Sequence, residues 1–229
     1  VFPTNMMDYL QKYTEYHEEG FRSSVDAILS KAKANPEVYE FCLNYLLELF
    51  DRVGPDIIFQ YLTEKYLIGE GCSETGVSQS FKEKAEAYRL LLPGNKAPEI
   101  TVPDREGKEK NLSEIASKNK ITVLFFWSSH CAFCHKVIPG LAKAYSEYHS
   151  QGLEIVAISL DENKGDWEKY ISENNLNWTN LCDLNGWKSL AVQKYKIHKT
   201  PSFYLLDNTM GILSKPSAED LEREVKKYF

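Results

Sequence analysis

Two cysteines stand three positions apart in the sequence Cys131-Ala-Phe-Cys134, directly after the apolar run 121–127. The run has the length of a buried strand, and we expect a helix to begin at the first cysteine after a short turn. The unpaired N–H groups and the positive dipole end of a helix favour an anion, so a thiolate at Cys131 would be stabilised there. Because the thiolate is the reactive form, Cys131 is the candidate nucleophile and Cys134 the more buried resolving thiol. Such a pair predicts thiol–disulfide exchange, in which Cys131 forms a mixed disulfide and Cys134 releases it.

A second element with chemical meaning is Thr200-Pro201, which stands just before the predicted strand 202–206. A proline at the start of a strand suits a tight turn, and the peptide bond before a proline can adopt the cis form. Placed beside the two cysteines, this turn would present backbone to a substrate chain, and proline has no N–H to compete. We therefore predict that Thr200 and Pro201 contribute to substrate binding.

Aromatic and basic side chains flank the cysteine pair. Trp127 ends the apolar run and joins the predicted substrate-binding set, although packing beneath the site is the simpler role for its ring. His130 joins the same set with two roles left open: a protonated imidazole would stabilise the Cys131 thiolate, whereas an exposed one would simply be solvated. His135 and Lys136 are predicted to be solvated residues on a helix face.

Cys42, Cys72 and Cys182 complete a set of five cysteines, an odd and sparse number that does not predict a disulfide scaffold. No metal is expected, because the chain has no second Cys-x-x-Cys to complete a structural zinc site. Cys42 lies on an apolar helical stripe and is predicted to be a core residue, whereas Cys72 falls in a flexible loop. Cys182 is expected at a strand end, and a regulatory disulfide between Cys72 and Cys182 stays open.

Composition and charge exclude several classes of protein. The 229 residues are 43% hydrophobic and 26% charged, which is ordinary for a protein with a core and excludes a disordered chain. No run reaches the ~18 apolar residues of a membrane helix. The net charge of −6 argues against a nucleic-acid partner. Residues 1–93 carry 9 Lys+Arg against 15 Asp+Glu, whereas 94–229 carry 18 of each, an asymmetry that indicates two units.

The first unit, residues 1–93, is predicted to be all helical. A helix over 5–19 is expected to break at Gly20, and Asn35 is expected to cap a helix whose first turn holds Pro36. The remaining expected elements are a helix at 23–34, a helix from Gly54-Pro55 to about Leu67, a loop at 69–80 and a helix at 80–91. Pro93-Gly94-Asn95 marks the predicted domain boundary.

Residues 94–229 alternate between strand-like and helix-like runs. The expected strands are 98–102, 121–127, 153–160, 202–206 and 210–214, and the expected helices are 132–149, 164–174, 187–194 and 217–228. Such alternation predicts a central sheet covered by helices, with right-handed crossovers between parallel strands.

Residues 95–229 resemble the thioredoxin fold, and specifically the TlpA/ResA-like extracytoplasmic thiol–disulfide oxidoreductases. The features that carry the resemblance occur in order: Ala97-Pro98, the turn Asp104–Lys108, Leu112-Ser113, Phe126-Trp127, the Cys131/Cys134 pair, Pro139, the stretch Asp161–Cys182, Tyr195-Lys-Ile197 and Thr200-Pro201. The resemblance implies an α/β thioredoxin-like fold, with a central mixed sheet flanked by helices, over 94–229. Residues 1–93 resemble the uncharacterised helical domain that precedes such modules in some bacterial envelope proteins.

Several positions depart from the pattern of the relatives. Thioredoxin carries a buried acid where this chain has Phe125, and some ResA-like proteins carry a glutamate where this chain has Val137. His130 replaces the usual aromatic before the first cysteine. Without either carboxylate, Cys134 lacks an assigned proton acceptor, and the reduction potential and direction of the reaction are left open.

The expected function is thiol–disulfide exchange, most simply the reduction of protein disulfides in a bacterial cell envelope, with no cofactor besides the Cys131–Cys134 disulfide. The expected partners are disulfide-containing envelope proteins and a thiol donor protein, in a periplasmic or other extracytoplasmic location. The chain begins Val1-Phe2-Pro3, and membrane anchoring is expected only through a removed N-terminal signal or lipid.

Two alternatives belong to other classes. In the first, the helical domain recognises an envelope partner and the thioredoxin-like domain is a non-catalytic scaffold. In the second the chain is a peroxidase, but the peroxiredoxin pattern requires a proline where this chain has Leu124, and only Ser128 matches it.

Overall fold

The computed structural model describes residues 2–52, 56–70 and 79–229, and it divides the chain into two compact units. The first unit ends at Arg89 and the second covers Leu90–Phe229. The sequence placed the boundary after residue 93. The structural boundary is earlier because the side chain of Leu91 is buried in the core of the second unit.

The first unit is helical over its described residues. Its elements are α1 (Phe2–Lys12), α2 (Glu18–Ala32), α3 (Pro36–Arg52), α4 (Asp56–Leu62), a π-helix (Thr63–Glu70) and α5 (Gln79–Arg89). Two expectations are confirmed: the side-chain oxygen of Asn35 accepts hydrogen bonds from the first turn of α3, and Cys42 is buried in the core. Residues 71–78 of the predicted loop, with Cys72, lie outside the described residues.

The helix break predicted at Gly20 is wrong. Gly20 lies in the first turn of α2, where its N–H donates to Nδ1 of His17, the residue that caps the helix. Glycine is required there because a Cβ would collide with the backbone carbonyl of Glu15. The residue therefore permits a close turn between α1 and α2 and does not end a helix.

The second unit is built on a mixed sheet of five strands in the order β5-β4-β3-β6-β7. Its elements are β1 (Thr101–Pro103), β2 (Glu109–Asn111), α6 (Leu112–Ala116), β3 (Ile121–Trp127), α7 (Ala132–Tyr148), β4 (Leu153–Ser159), α8 (Lys164–Glu173), β5 (Thr179–Leu181), α9 (Leu190–Lys194), β6 (Ser202–Asp207), β7 (Ile212–Ser214) and α10 (Leu221–Lys226). Strands β1 and β2 form a separate antiparallel hairpin around the predicted turn at Asp104–Lys108. The predicted α/β fold with a central mixed sheet flanked by helices is confirmed.

The sheet register determines where functional side chains meet. Strand β3 is parallel to β4, with Trp127 opposite Ser159, and it is antiparallel to β6, with Phe126 opposite Ser202. All seven residues of β3 and all seven of β4 are buried, which explains their near-continuous apolar sequences. The carboxyl ends of β3 and β4 and the start of β6 therefore lie at one edge of the sheet.

Candidate active site

Cys131 lies at the junction between the buried strand β3 and helix α7. It is the N-cap residue of α7 in an extended conformation, and its Sγ accepts a hydrogen bond of 3.1 Å from the backbone N–H of Cys134. The sulfur thus occupies the position where helix N–H groups and the helix dipole favour a negative charge.

The sulfurs of Cys131 and Cys134 are joined in a disulfide, with their Cα atoms 5.2 Å apart. The two residues differ in access to solvent: Cys131 is half-buried, whereas Cys134 has 0% of its surface exposed. Only the sulfur of Cys131 can therefore be approached by another chain, and Cys134 lies behind it against the core.

The peptide bond between Thr200 and Pro201 is cis. The carbonyl oxygen of Thr200 lies 3.5 Å from Sγ of Cys131, although the two residues are far apart in sequence. The antiparallel pairing of β3 with β6 brings these two turns to the same edge. The turn that holds Thr200 and Pro201 thus lies beside Cys131 through Thr200, and both of its residues are half-buried.

The structure separates the other two residues of the predicted substrate-binding set. Trp127 has 0% of its surface exposed and packs against Phe125 and Tyr170. Its ring therefore cannot contact a substrate directly, and it packs beneath the site instead. His130 is exposed, with Nε2 3.5 Å from a carboxylate oxygen of Asp166 on α8. Its ring therefore lies at the rim of the site, where it is open to solvent and to a partner.

His135 is exposed, as the sequence predicted, but its ring is also held by two contacts. Its Nε2 bonds the carbonyl oxygen of Ser129 at 2.8 Å, and its ring stacks on Tyr170 with centroids 4.6 Å apart. The first contact connects α7 to the turn before Cys131, and the second connects α7 to α8. Lys136 remains exposed, with its ammonium 5.2 Å from the centre of the Phe133 ring.

A buried carboxylate was missed entirely by the sequence reasoning. Asp161 follows β4 and accepts hydrogen bonds from side chains and backbone of the Ser128–Ser129 turn. The available signal was the Ser159-Leu-Asp161 sequence at the end of a predicted buried strand. Because carboxyl ends of parallel strands meet at one edge, those polar residues were candidates to contact the turn after β3.

Cys182 follows β5, as expected, and its thiol is buried, with no disulfide partner among the residues that the structure describes. Burial raises the pKa of the Cys182 thiol, which makes it a poor nucleophile near neutral pH. Cys72 lies outside the described residues, so its pairing with Cys182 stays a prediction. Within residues 2–52, 56–70 and 79–229, no group of three or more His, Cys, Asp or Glu side chains could hold a metal ion.

These positions define what the site can do chemically. One accessible sulfur lies at a helix N-terminus beside the backbone carbonyl of Thr200, and it is bonded to a second, buried sulfur behind it. Such an arrangement can accept or donate two electrons by forming and breaking one S–S bond.

Comparison with known proteins gives concordant matches. Residues 93–214 match the model of the AhpC/TSA family. A thiol-disulfide oxidoreductase named ResA from Bacillus cereus is 25% identical over 162 residues, which is 71% of this chain and 89% of the relative. The C-terminal domain of a putative thiol-disulfide oxidoreductase from Bacteroides thetaiotaomicron is 27% identical, with a TM-score of 0.56 over 60% of this chain and 96% of that domain.

A fourth match extends over both units. A thioredoxin-like protein from Bacteroides caccae has a TM-score of 0.67, covering 92% of this chain and 78% of that protein at 18% identity. At that identity the match concerns the fold alone.

Proposed function

Because the chain belongs to the AhpC/TSA family, whose model matches residues 93–214, we propose that it reduces protein disulfides in the bacterial cell envelope through the Cys131–Cys134 pair. The matches confirm the predicted resemblance to ResA-like proteins, and the chain is a thioredoxin-like thiol–disulfide oxidoreductase. The proposal adds that the reaction is a reduction, that it takes place in the cell envelope, and that individual residues of the site have distinct roles.

The observation that carries the proposal is the position of the disulfide itself. The bonded sulfurs lie at the N-terminus of α7, one half-exposed beside the Thr200 carbonyl and one fully buried. This asymmetry separates an attacking sulfur from a resolving sulfur, which is what stepwise disulfide exchange requires.

The reaction follows from the reduced pair in two steps. The Cys131 thiolate attacks one sulfur of a substrate disulfide, that S–S bond breaks, and the departing sulfur takes a proton as a free thiol. Cys134 then loses its proton and attacks Sγ of Cys131, and the second substrate sulfur leaves as a thiolate. The substrate disulfide gains two electrons, and the Cys131–Cys134 pair is oxidised to the disulfide seen in the structure.

Groups around the cysteine pair have separate roles in stabilising the sulfur and binding the substrate. Helix N–H groups, including that of Cys134, stabilise the sulfur of Cys131 as it carries charge. The backbone of Thr200-Pro201 would align an extended substrate segment, and His130 at the rim would contact it. The proteins that use the site contain disulfides, and the proposal specifies envelope proteins as substrates with a thiol donor protein that returns the electrons.

The proposed location rests on the resemblance to extracytoplasmic oxidoreductases. Of the helices described, none is both long and apolar enough to span a membrane. Anchoring through an N-terminal signal or lipid remains part of the proposal.

The peroxidase alternative gains no support at Leu124. This residue, where the peroxidase pattern requires proline, lies in the middle of β3, opposite Val156 on β4 and Tyr204 on β6. A proline there would lack the N–H that a central strand uses for pairing.

The direction of the reaction is tested by the reduction potential of the Cys131–Cys134 pair. The protein is equilibrated with glutathione or dithiothreitol buffers, and the fraction of reduced pair is read by thiol alkylation and mass spectrometry. A reductase predicts a value near that of thioredoxin, about −270 mV. A value near that of DsbA, about −120 mV, would assign the chain to disulfide formation or isomerisation instead.

The same alkylation experiment separates the scaffold alternative. A non-catalytic domain would show cysteines of ordinary reactivity, with a rate limited by the small thiolate fraction at neutral pH. The variant Cys42→Ala serves as a control, because Cys42 lies in the core of the first unit.

A further inference from the structure

We propose that Asp161 is a positioning residue for disulfide exchange: its buried carboxylate holds the Ser128–His130 turn that delivers Sγ of Cys131 to the N-terminus of α7. The inference rests on the proposed function, because it assumes that Cys131 is the attacking sulfur. Asp161 itself touches no substrate, since only 2% of its surface is exposed.

Four hydrogen bonds converge on the Asp161 carboxylate. Ser128 Oγ donates at 3.0 Å, Ser129 Oγ at 2.7 Å, the Ser129 backbone N–H at 2.9 Å and Ser159 Oγ at 2.5 Å. A buried carboxylate is tolerated only when its oxygens have such partners. Three of the four donors belong to the turn after β3, so the carboxylate connects that turn to the end of β4.

The same turn is held from its other side. Ser128 Oγ accepts from the N–H of His130 at 3.2 Å, and the Ser128 carbonyl accepts from the N–H of Cys131 at 3.0 Å. The Ser129 carbonyl bonds Nε2 of His135 on α7. The turn is therefore fixed between β4 and α7, and Cys131 follows it directly.

This position determines the chemistry of the sulfur. Sγ of Cys131 accepts from the Cys134 N–H and lies against the Thr200 carbonyl, two contacts that depend on where the turn ends. Loss of the first contact removes stabilisation of the thiolate. Releasing the turn should therefore raise the pKa of Cys131, whereas merely deleting a nearby negative charge should lower it. A positioning role and a purely electrostatic role of the Asp161 carboxylate therefore predict opposite changes in the pKa of Cys131.

The test is the pH dependence of Cys131 alkylation in the full chain with Asp161→Asn. Asparagine keeps the shape and one acceptor oxygen, but its amide nitrogen cannot accept the hydrogen bonds now made to the second oxygen. The reduced protein is treated with iodoacetamide from pH 5 to pH 10, and modification at Cys131 is followed by peptide mass spectrometry. We expect the midpoint to rise by about one pH unit and the alkylation rate at pH values well below the midpoint to fall about tenfold.

Other charged or titratable groups near Cys131 are Cys134, His130, His135 and Asp166. These four residues are unchanged in every variant. Glu162→Gln is the matched control, because it removes an exposed carboxylate one residue away and should leave the midpoint unchanged. If Asp161→Asn does not fold, Ser129→Ala removes one donor and keeps the carboxylate. It should shift the midpoint in the same direction by a smaller amount.

An unchanged midpoint in folded Asp161→Asn, or in Ser129→Ala when Asp161→Asn does not fold, would overturn the inference, as would a lower midpoint in either. Failure of the proposed function gives a different result. In that case the unsubstituted protein alkylates at the rate of an ordinary thiol and fails to reduce a protein disulfide, whatever Asp161 does.

Discussion

Replacing the accessible cysteine, Cys131→Ser, is expected to lower the rate of protein-disulfide reduction by about 10³-fold or more. A serine hydroxyl is a weak nucleophile and cannot form the mixed disulfide through which electrons pass. Insulin is a suitable substrate, with dithiothreitol as electron donor and the rate corrected for reduction by dithiothreitol alone. The effect should appear as loss of turnover without loss of folding, because Cys131 is half-buried at the surface of the second unit.

The control for this variant is Cys42→Ala, which removes a free thiol from the first unit. Its turnover should equal that of the unsubstituted chain, since the described contacts of Cys42 lie in the helical core. Undiminished reduction of insulin by Cys131→Ser would show that another group performs the attack.

The second large effect is expected for Cys134→Ser, in which the protein should accumulate as a covalent adduct with its substrate. Attack by Cys131 is retained, but the serine hydroxyl at position 134 cannot attack the mixed disulfide. The experiment uses reduced variant and an excess of oxidised insulin, with all other thiols removed, because added dithiothreitol would resolve the adduct. A band of higher mass on a non-reducing gel, lost on reduction, reports the adduct.

The burial of Cys134 determines which of the two cysteines attacks the substrate first. Cys134 has no exposed surface, so it cannot meet the substrate disulfide first. The double variant Cys131→Ser/Cys134→Ser should form no adduct. An adduct of equal yield in the double variant would place the attack on Cys42, Cys72 or Cys182 and would reject the assigned roles.

Local sequence patterns were sufficient to predict the parts of the site that are contiguous in the chain. The apolar run 121–127 became β3, and the cysteine pair became the first turn of α7, because strand length and helix start are encoded by neighbouring residues. The cis bond at Thr200-Pro201 was an allowed conformation at a strand start. The predicted role in substrate binding assumed a position beside Cys131, and the pairing of β3 with β6 accounts for that position.

Long-range pairing accounts for what the sequence did not reveal. The contact between Asp161 and Ser129 depends on the parallel register in which Trp127 faces Ser159, and a register is not visible in a single chain. The bond from His135 to Ser129 depends on how α7 follows its turn. His135 was predicted to be solvated and Asp161 was given no role, because the partners of both side chains lie outside their own elements.

Short elements were missed for a different reason. Strand β2 was not expected because its polar sequence, Glu109-Lys-Asn111, lacks the apolar alternation that identifies a strand. Strand β5, Thr179–Leu181, was expected only through the strand end predicted at Cys182. The π-helix at Thr63–Glu70 extends a helix expected to end near Leu67, because local apolar spacing does not distinguish i→i+5 from i→i+4 pairing.

The most direct test of the central claim is a single-turnover experiment on the unsubstituted chain. Fully reduced protein is mixed with a limiting amount of oxidised insulin without any other thiol, the reaction is stopped by rapid alkylation, and every cysteine is mapped by mass spectrometry. The account predicts one new Cys131–Cys134 disulfide for each insulin disulfide reduced, with Cys42 and Cys182 still reduced. Insulin thiols released while Cys131 and Cys134 both remain free to alkylate would contradict it.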